Sequence, residues 1–222
     1  MVNCLNNVPL FEVLNDDQRN YIQKFVKHEF FSAGSRIYQP GEKADALYIV
    51  SKGKMRIYRL AENGKEQLIR ILFPGDFTGE LALFKQGIYE AFAETIEETS
   101  VCMIHHNDFK KLLIEYPKVS TSMLEILANR LSNSEQQTAW VATETVKDRL
   151  IHFLSRSAYL YNGEVIVDLN LSKKDLSSYL GTTPESLSRE WTKLEIAGII
   201  KQKDKNTVKL IGLNIDLTTC KI

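Results

Sequence analysis

Residues 171–200 read LSKKDLSSYLGTTPESLSREWTKLEIAGII, and the punctuation of this stretch decides what the chain builds. Ser172 stands three residues ahead of Asp175, a helix-opening pattern, and Gly181 closes the short helix that carries Leu176 and Leu180. Thr183 is then placed to cap a second helix, with Pro184 at its first position, where a missing N–H is no loss. Leu187, Trp191 and Leu194 fall at i, i+4 and i+7 of that helix, and Gly198 stops it. Two helices joined by a tight turn, the second presenting Glu185, Ser186, Ser188 and Arg189 near its N-terminus, predict a helix-turn-helix. From Ile199 to Ile211 two apolar runs flank Asp204-Lys205-Asn206, which predicts a hairpin. Lys201, Lys203, Lys205 and Lys209 stud it, as a wing lying on phosphate requires. The alternative is a helical hairpin that binds no DNA, its Ser, Thr, Glu and Arg forming a solvated face.

Upstream, Thr143-Glu144-Thr145 reads as a break and a fresh cap, so the hinge is expected there. The following helix carries Val146, Leu150, Ile151, Phe153 and Leu154, with Gly163 ending that helical region and Val165-Ile166-Val167 forming a short strand. Before the break, Pro117 starts a helix running toward Trp140, with Val119, Met123, Ile126, Leu127 and Leu131 as its apolar series. One face of it is expected to pack on the preceding domain and a second to pair with a twin helix. Between Glu29 and Ile104 the period shifts to two, and Pro40-Gly41, Lys52-Gly53, Asn63-Gly64 and Pro74-Gly75 mark turns about ten residues apart. That rhythm predicts an all-β sandwich or barrel, with Asn63-Gly64 as a tight hairpin. At the start, Asn15-Asp16-Asp17-Gln18 opens a helix in capping-box form, expected to carry Tyr21, Ile22, Phe25 and Val26 to about residue 28.

The chain has 222 residues, 44% of them hydrophobic, enough for two modest domains. No stretch approaches the ~20 apolar residues of a membrane span, and the N-terminus lacks a basic start followed by an apolar run. A cytoplasmic protein with no membrane partner is expected. The 28 basic and 28 acidic residues divide unevenly: residues 1–144 hold 16 Lys/Arg against 19 Asp/Glu, and residues 145–222 the remaining 12 against 9. The first part is therefore −3 and the second +3, as expected if the C-terminal part faces DNA. Three cysteines, Cys4, Cys102 and Cys220, form no CxxC pair, and the histidines show no HxxxH or HExxH spacing. His105-His106 reads as a solvated strand end, and neither metal nor cofactor is expected. Enzymatic signatures such as GxSxG or a GxxxxGK phosphate loop are missing, so no enzyme is expected.

The segment 171–200, together with GEKADALYIVSKGKMRIYRLAENGKEQLIRILFPGDFTGELALF at 41–84, resembles the Crp/Fnr family of bacterial transcription regulators. The resemblance spans nearly the whole chain. It implies an α+β fold: an N-terminal cyclic-nucleotide-binding-type β-roll with its leading helix (1–112), a long dimerisation helix and hinge (113–143), and a C-terminal winged helix-turn-helix (144–222). It also implies a homodimer on double-stranded DNA, at an inverted-repeat promoter site with GA-containing half-sites, and contact with RNA polymerase. Glu185, Ser188 and Arg189 match the E-x-x-S-R of the Fnr branch, while Pro184 stands where the cyclic-AMP branch usually has Arg. Arg189 can donate two hydrogen bonds to guanine and Glu185 can accept from a cytosine amino group. Ser186, Thr183, Lys193 and Lys205 complete the expected contact set, and Glu190 departs from the apolar residue common in relatives.

In the β-roll, Gly79-Glu80-Leu81 resembles the family's phosphate-binding segment. The Arg-Ser or Arg-Thr pair that follows it in cyclic-nucleotide binders is replaced by Glu90-Ala91. A carboxylate there repels phosphate, so Gly79, Glu80, Glu90 and Ala91 are read as a vestigial effector pocket. Cys102 matches the late-strand cysteine of the Fnr iron–sulfur branch, but Cys4 alone lies near the N-terminus, two ligands short of a cluster. The resemblance to Fnr-like proteins of lactic acid bacteria implies a Cys4–Cys102 redox switch. The alternative is that Cys102 is a small buried hydrophobe and Cys4 a free thiol. An unknown small molecule in the β-roll, or a cyclic-nucleotide-responsive role, stands as the other route of control.

Overall fold

The computed structural model describes Leu5 and residues 8–84, 87–204 and 206–212. By compactness the chain divides into Met1–Ser132 and Asn133–Ile222. The division falls inside the long helix, ahead of the hinge placed at Thr143-Glu144-Thr145.

The first unit contains two four-stranded antiparallel sheets, ordered β1-β8-β3-β6 and β2-β7-β4-β5. Their strands are β1 (Val26–Phe31), β2 (Arg36–Tyr38), β3 (Ala46–Lys52), β4 (Met55–Leu60), β5 (Glu66–Leu72), β6 (Phe77–Thr78), β7 (Phe92–Thr95) and β8 (Thr99–His105). The turn at Asn63-Gly64 joins β4 to β5, with Gly64 at φ 77° and the Ala61 N–H donating to Lys65 O at 2.9 Å. In β8 Val101, Cys102, Met103 and Ile104 are all buried, because both faces of the strand are covered. Val101 faces the sheet interior with Val50, Met55 and Leu72. Cys102 and Ile104 belong to a second core with Leu5, Val8, Phe11 and Ile22 from the N-terminal segment and Phe109, Val119 and Met123 from later helices.

The opening helix is shorter than its apolar stripe predicts. Helix α1 covers Asp16–Ile22, capped by Asn15 in the expected capping box; Gln23–Phe25 form a 3₁₀ turn and β1 begins at Val26. Pairing with β8 from Val26↔Ile104 to Phe31↔Thr99 captures residues that the local pattern assigned to the helix. His105 ends β8, but His106 opens helix α3 (His106–Glu115) and is half-buried, not solvated. Its Nε2 meets no partner among the described residues. Burial pulls its pKa down, against an opposing hydrogen bond that its ring donates to the Gly79 carbonyl.

A short helix α2 (Glu80–Phe84) precedes β7, and helix α4 runs from Pro117 to Thr143. The apolar series of α4 is largely the stripe that faces its own domain. Val119 and Met123 are buried, and Ile126 and Leu127 pack against the same core. In the first unit α4 leaves Leu124, 67% exposed, and Leu131, 61% exposed, facing outward.

In the second unit helix α5 (Val146–Arg156) starts at the predicted cap, the Thr145 hydroxyl accepting from the Asp148 N–H at 3.2 Å. Helix does not continue to Gly163. Strand β9 (Ala158–Tyr161) turns at Asn162-Gly163 into β10 (Glu164–Asp168), with φ of 51° and 78° at the two turn residues. Positive φ at both is the two-residue hairpin turn that favours Asn-Gly. The sheet is completed by β11 (Ile200–Gln202) and β12 (Thr207–Leu210), in the order β11-β12-β10-β9. Leu150, Leu154, Leu176, Leu180, Leu187, Trp191, Leu194 and Val208 fill the core.

Candidate nucleic-acid interface and effector pocket

Helices α6 (Lys173–Tyr179) and α7 (Pro184–Ile196) form the helix-turn-helix. Ser172 accepts from the Asp175 N–H at 3.0 Å, and Thr183 from the Ser186 N–H at 3.2 Å. In the turn Gly181 sits at φ +65°, while the Thr182 N–H donates to Ser177 O at 2.9 Å. The Arg149 guanidinium, buried on α5, donates to Leu180 O, so a carbonyl left free by the end of α6 is satisfied from another helix. No local sequence signal points to that arginine.

Burial of Leu187, Trp191 and Leu194 fixes the rotation of α7 and leaves Glu185, Ser188, Arg189 and Lys193 exposed. Four of the expected contact residues therefore lie outward on one short helix. Arg189 Nη2 donates to Ser186 Oγ at 3.1 Å, and Ser186 in turn lies 3.3 Å from Thr183 Oγ1. The Glu185 carboxyl is held below its ordinary range, first by its own backbone N–H at the helix start, then by the Thr183 hydroxyl and by Arg189. Lys193 is engaged by Glu190 at 2.7 Å, which gives the unexpected glutamate an intrahelical role.

The wing differs from its expected form. Lys203 and Lys209 both reach Glu164 of β10, at 2.5 and 2.7 Å, so two of the four lysines assigned to phosphate share a carboxylate within the fold. Those lysines, Lys203 foremost, pull the Glu164 carboxyl down to about 2. Lys201 is exposed, and Lys205 lies outside the described residues. Asp204 Oδ1 closes the turn by accepting from the N–H groups of Asn206 and Thr207, at 2.8 and 2.9 Å.

Gly79, Glu80, Glu90 and Ala91 line one small cleft in the first unit, together with Tyr38, Arg59, Arg70 and Tyr89. Gly79 has φ +93°, and a Cβ there would meet Ala46 O at 2.5 Å, so only glycine fits. Glu80 is 2% exposed and accepts on Oε1 from Arg70 at 2.8 Å and from Arg130 of α4 at 3.0 Å. Arg130 also donates to Phe77 O at 3.0 Å and lies 4.2 Å from the Phe77 ring centroid. Glu80 Oε2 and Arg70 Nε find no partner among the described residues. Glu90 pairs with Arg59 at 2.8 Å. Tyr38 stacks on Tyr89 at 3.8 Å and meets Thr78 Oγ1 at 2.5 Å; burial above all keeps both phenols un-ionised.

Cys102 is fully buried and disulfide-bonded, its Sγ 3.7 Å from His28 Nδ1 on the neighbouring strand. Cys4 and Cys220 both lie outside the described residues. Leu5, next in sequence to Cys4, is fully buried in the core that contains Cys102.

Comparison with known proteins accounts for both halves. Residues 28–116 match the cyclic nucleotide-binding domain, and residues 148–214 the Crp-like helix-turn-helix domain. A probable transcriptional regulator flp of Lacticaseibacillus casei is 33% identical over 91% of this chain and 91% of that protein. The chain belongs to the Crp/Fnr family. Among other Crp/Fnr relatives, the cyclic AMP receptor protein of Thermus thermophilus is 25% identical, over 87% of this chain and 88% of its own. In fold the chain is similar to a CooA mutant of Carboxydothermus hydrogenoformans, with TM-score 0.79 at 23% identity, covering 90% of each chain. As a Crp/Fnr protein it is a DNA-binding transcription regulator, and the family and fold are those of regulators and not of enzymes. No helix among the described residues is long and apolar enough to cross a membrane.

Proposed function

We propose that this regulator acts as a homodimer on an inverted-repeat promoter site and that its DNA affinity answers to the redox state of Cys102 rather than to a cyclic nucleotide. Arg189 reads guanine, Glu185 a cytosine amino group, and Ser188 makes a smaller contact. Thr183 and Ser186 hold the start of the helix, while Lys193 and Lys205 serve the phosphate backbone. The outward Leu124 and Leu131 of α4 supply the pairing surface. Half-sites lie ~34 Å apart. Recruitment of RNA polymerase is the expected output.

The observation that carries the redox reading is the disulfide at Cys102 inside a core shared with Leu5. It favours Cys4 as the partner, because Leu5 brings the N-terminal segment to the same cluster. Such a bond ties that segment to the sheet and shifts the population between forms that differ in DNA affinity. Against a cyclic nucleotide stands the Glu90–Arg59 pair, which places a carboxylate at the phosphate-partner position and occupies a nearby guanidinium. The test is DNA selection, followed by affinity measurements on the selected site, with oxidised and with reduced protein. The expected outcome is GA-containing inverted repeats and a 5- to 150-fold, or roughly 1–3 kcal/mol, difference in affinity between the two states. Equal affinity in both states, unaltered by Cys4→Ser or Cys102→Ser, would remove the redox reading. Micromolar cyclic-AMP binding by calorimetry would restore the nucleotide.

A further inference from the structure

From the contacts around Cys102 we infer that His28 is the positioning residue that makes this disulfide reducible, by donating a hydrogen bond to the Cys102 thiolate as it forms. The inference rests on the redox reading above. His28 stands directly opposite Cys102 in the β1–β8 pair, so the two side chains project from the same face of the sheet. Its Nδ1 is 3.7 Å from Sγ, and its Nε2 is 3.0 Å from the Gln23 amide nitrogen. An amide nitrogen is a donor, so Nε2 accepts and the neutral ring carries its proton on Nδ1, the atom that faces sulfur.

The charged groups around this pair leave that role to His28. Lys27 and Glu29 flank it on β1 and, by strand alternation, point to the other side; Lys27 meets His105 at 3.4 Å. On the opposite edge of β8, Ile49 of β3 stands across from Cys102, and the nearby 3₁₀ turn contributes Gln23 and Lys24.

The chemistry is thiol–disulfide exchange with a small-molecule thiol as reductant. Attack of the incoming thiolate on the partner sulfur, and not on the fully buried Cys102 Sγ, makes Cys102 the leaving group. The S–S bond breaks, and its electron pair goes to Cys102 Sγ as a thiolate that accepts from His28 Nδ1–H. A second thiolate resolves the mixed disulfide. Two small thiols become one small disulfide, and the protein gains two thiols. Because exchange is faster, and the reduced state more favoured, when the leaving thiolate is stabilised, His28 raises both the rate and the extent of reduction.

The experiment compares wild type, His28→Phe and His28→Asn in glutathione buffers of graded redox ratio, with thiols counted by mass after alkylation. His28→Phe keeps a ring but removes the donor, and is expected to slow reduction on the order of tenfold and to require more reducing buffer at its midpoint. His28→Asn places an amide N–H near the position of Nδ1 and should recover most of the loss. Identical midpoints and rates in wild type and His28→Phe would overturn the inference. A second measurement separates it from the redox reading: thiolate absorbance near 240 nm against pH in a Cys4→Ser, Cys220→Ser chain, where Cys102 is the one thiol left. There the His28→Phe change should move thiolate formation to higher pH, and superimposable curves would again overturn it. If wild type forms no disulfide in any buffer yet the absorbance curves separate, the redox reading fails and the His28 interaction stands.

Discussion

The Glu80 cleft and helix α7 treat polar groups in opposite ways. In the cleft Glu80 is buried and holds Arg70 and Arg130, while Glu90 holds Arg59 at the exposed rim, so the charges answer one another within the fold. On α7 the polar groups face outward: Glu185, Ser188 and Arg189 are exposed, and their internal bonds stay within a single helical turn. A cleft whose charges are already paired offers a ligand little, because binding must first break those pairs. An exposed helix start held by its own cap is free to meet a ligand with little rearrangement. The same contrast of buried and exposed charge also separates what mutation does to stability from what it does to binding.

Glu80→Ala should strain that contrast most. It strands two arginines against the domain, and the loss of a buried counter-ion is expected to cost about 3–5 kcal/mol of unfolding free energy. Denaturant melts of wild type and variant measure it, and unchanged stability would mean that water already solvates the cluster. Arg189→Ala should do the reverse. Melting is unchanged, while discrimination at one guanine falls by ~1–3 kcal/mol in competition binding. Smaller still is Thr183→Ala, which removes the α7 cap and is expected to lower stability by ~1 kcal/mol, read by thermal denaturation together with DNA affinity.

The smallest effect on folding is expected at Glu164. Its carboxyl lies near 2 in the folded chain, below the ordinary value, so the stability it contributes is complete above the ordinary carboxylate range. That contribution fades as pH falls from there through about 2. Glu164→Gln should flatten this acid limb and free Lys203 and Lys209 for phosphate. The salt slope of DNA binding should then steepen by about one to two ions. An unchanged slope would show that those lysines already reach DNA.

Much of the helix-turn-helix was legible because its signals are local. Ser172, Thr183, Pro184, Gly181 and Gly198 each act within a turn of their own position. The wing hairpin and the Asn63-Gly64 turn were legible for the same reason. The apolar stripe of α1 overruns the helix because Phe25 and Val26 continue it, and only a partner strand far along the chain makes Val26 extended. The Asn162-Gly163 turn carries a readable hairpin signal, although the apolar pattern before it reads as helix up to Gly163. Arg149 on Leu180 O, Arg130 on Glu80 and the Glu164 lysine pairs had no signal, since each joins residues distant in sequence. The stripe on α4 was legible as apolar, but periodicity does not say which neighbour an apolar face meets.

The β1–β8 pairing also orders events in time. His28 and Cys102 are 74 residues apart and yet directly opposed, so closing that ladder carries a large loop-entropy cost and needs the intervening strands in place. On the ribosome β1 emerges long before its partner and must wait unpaired until β8 has been made. The β9–β10 and β11–β12 hairpins, by contrast, close within a few residues of their own synthesis. Cys102 enters its buried site only when the last strand of the sheet docks, so a bond formed there in the native arrangement records that the sheet has finished folding.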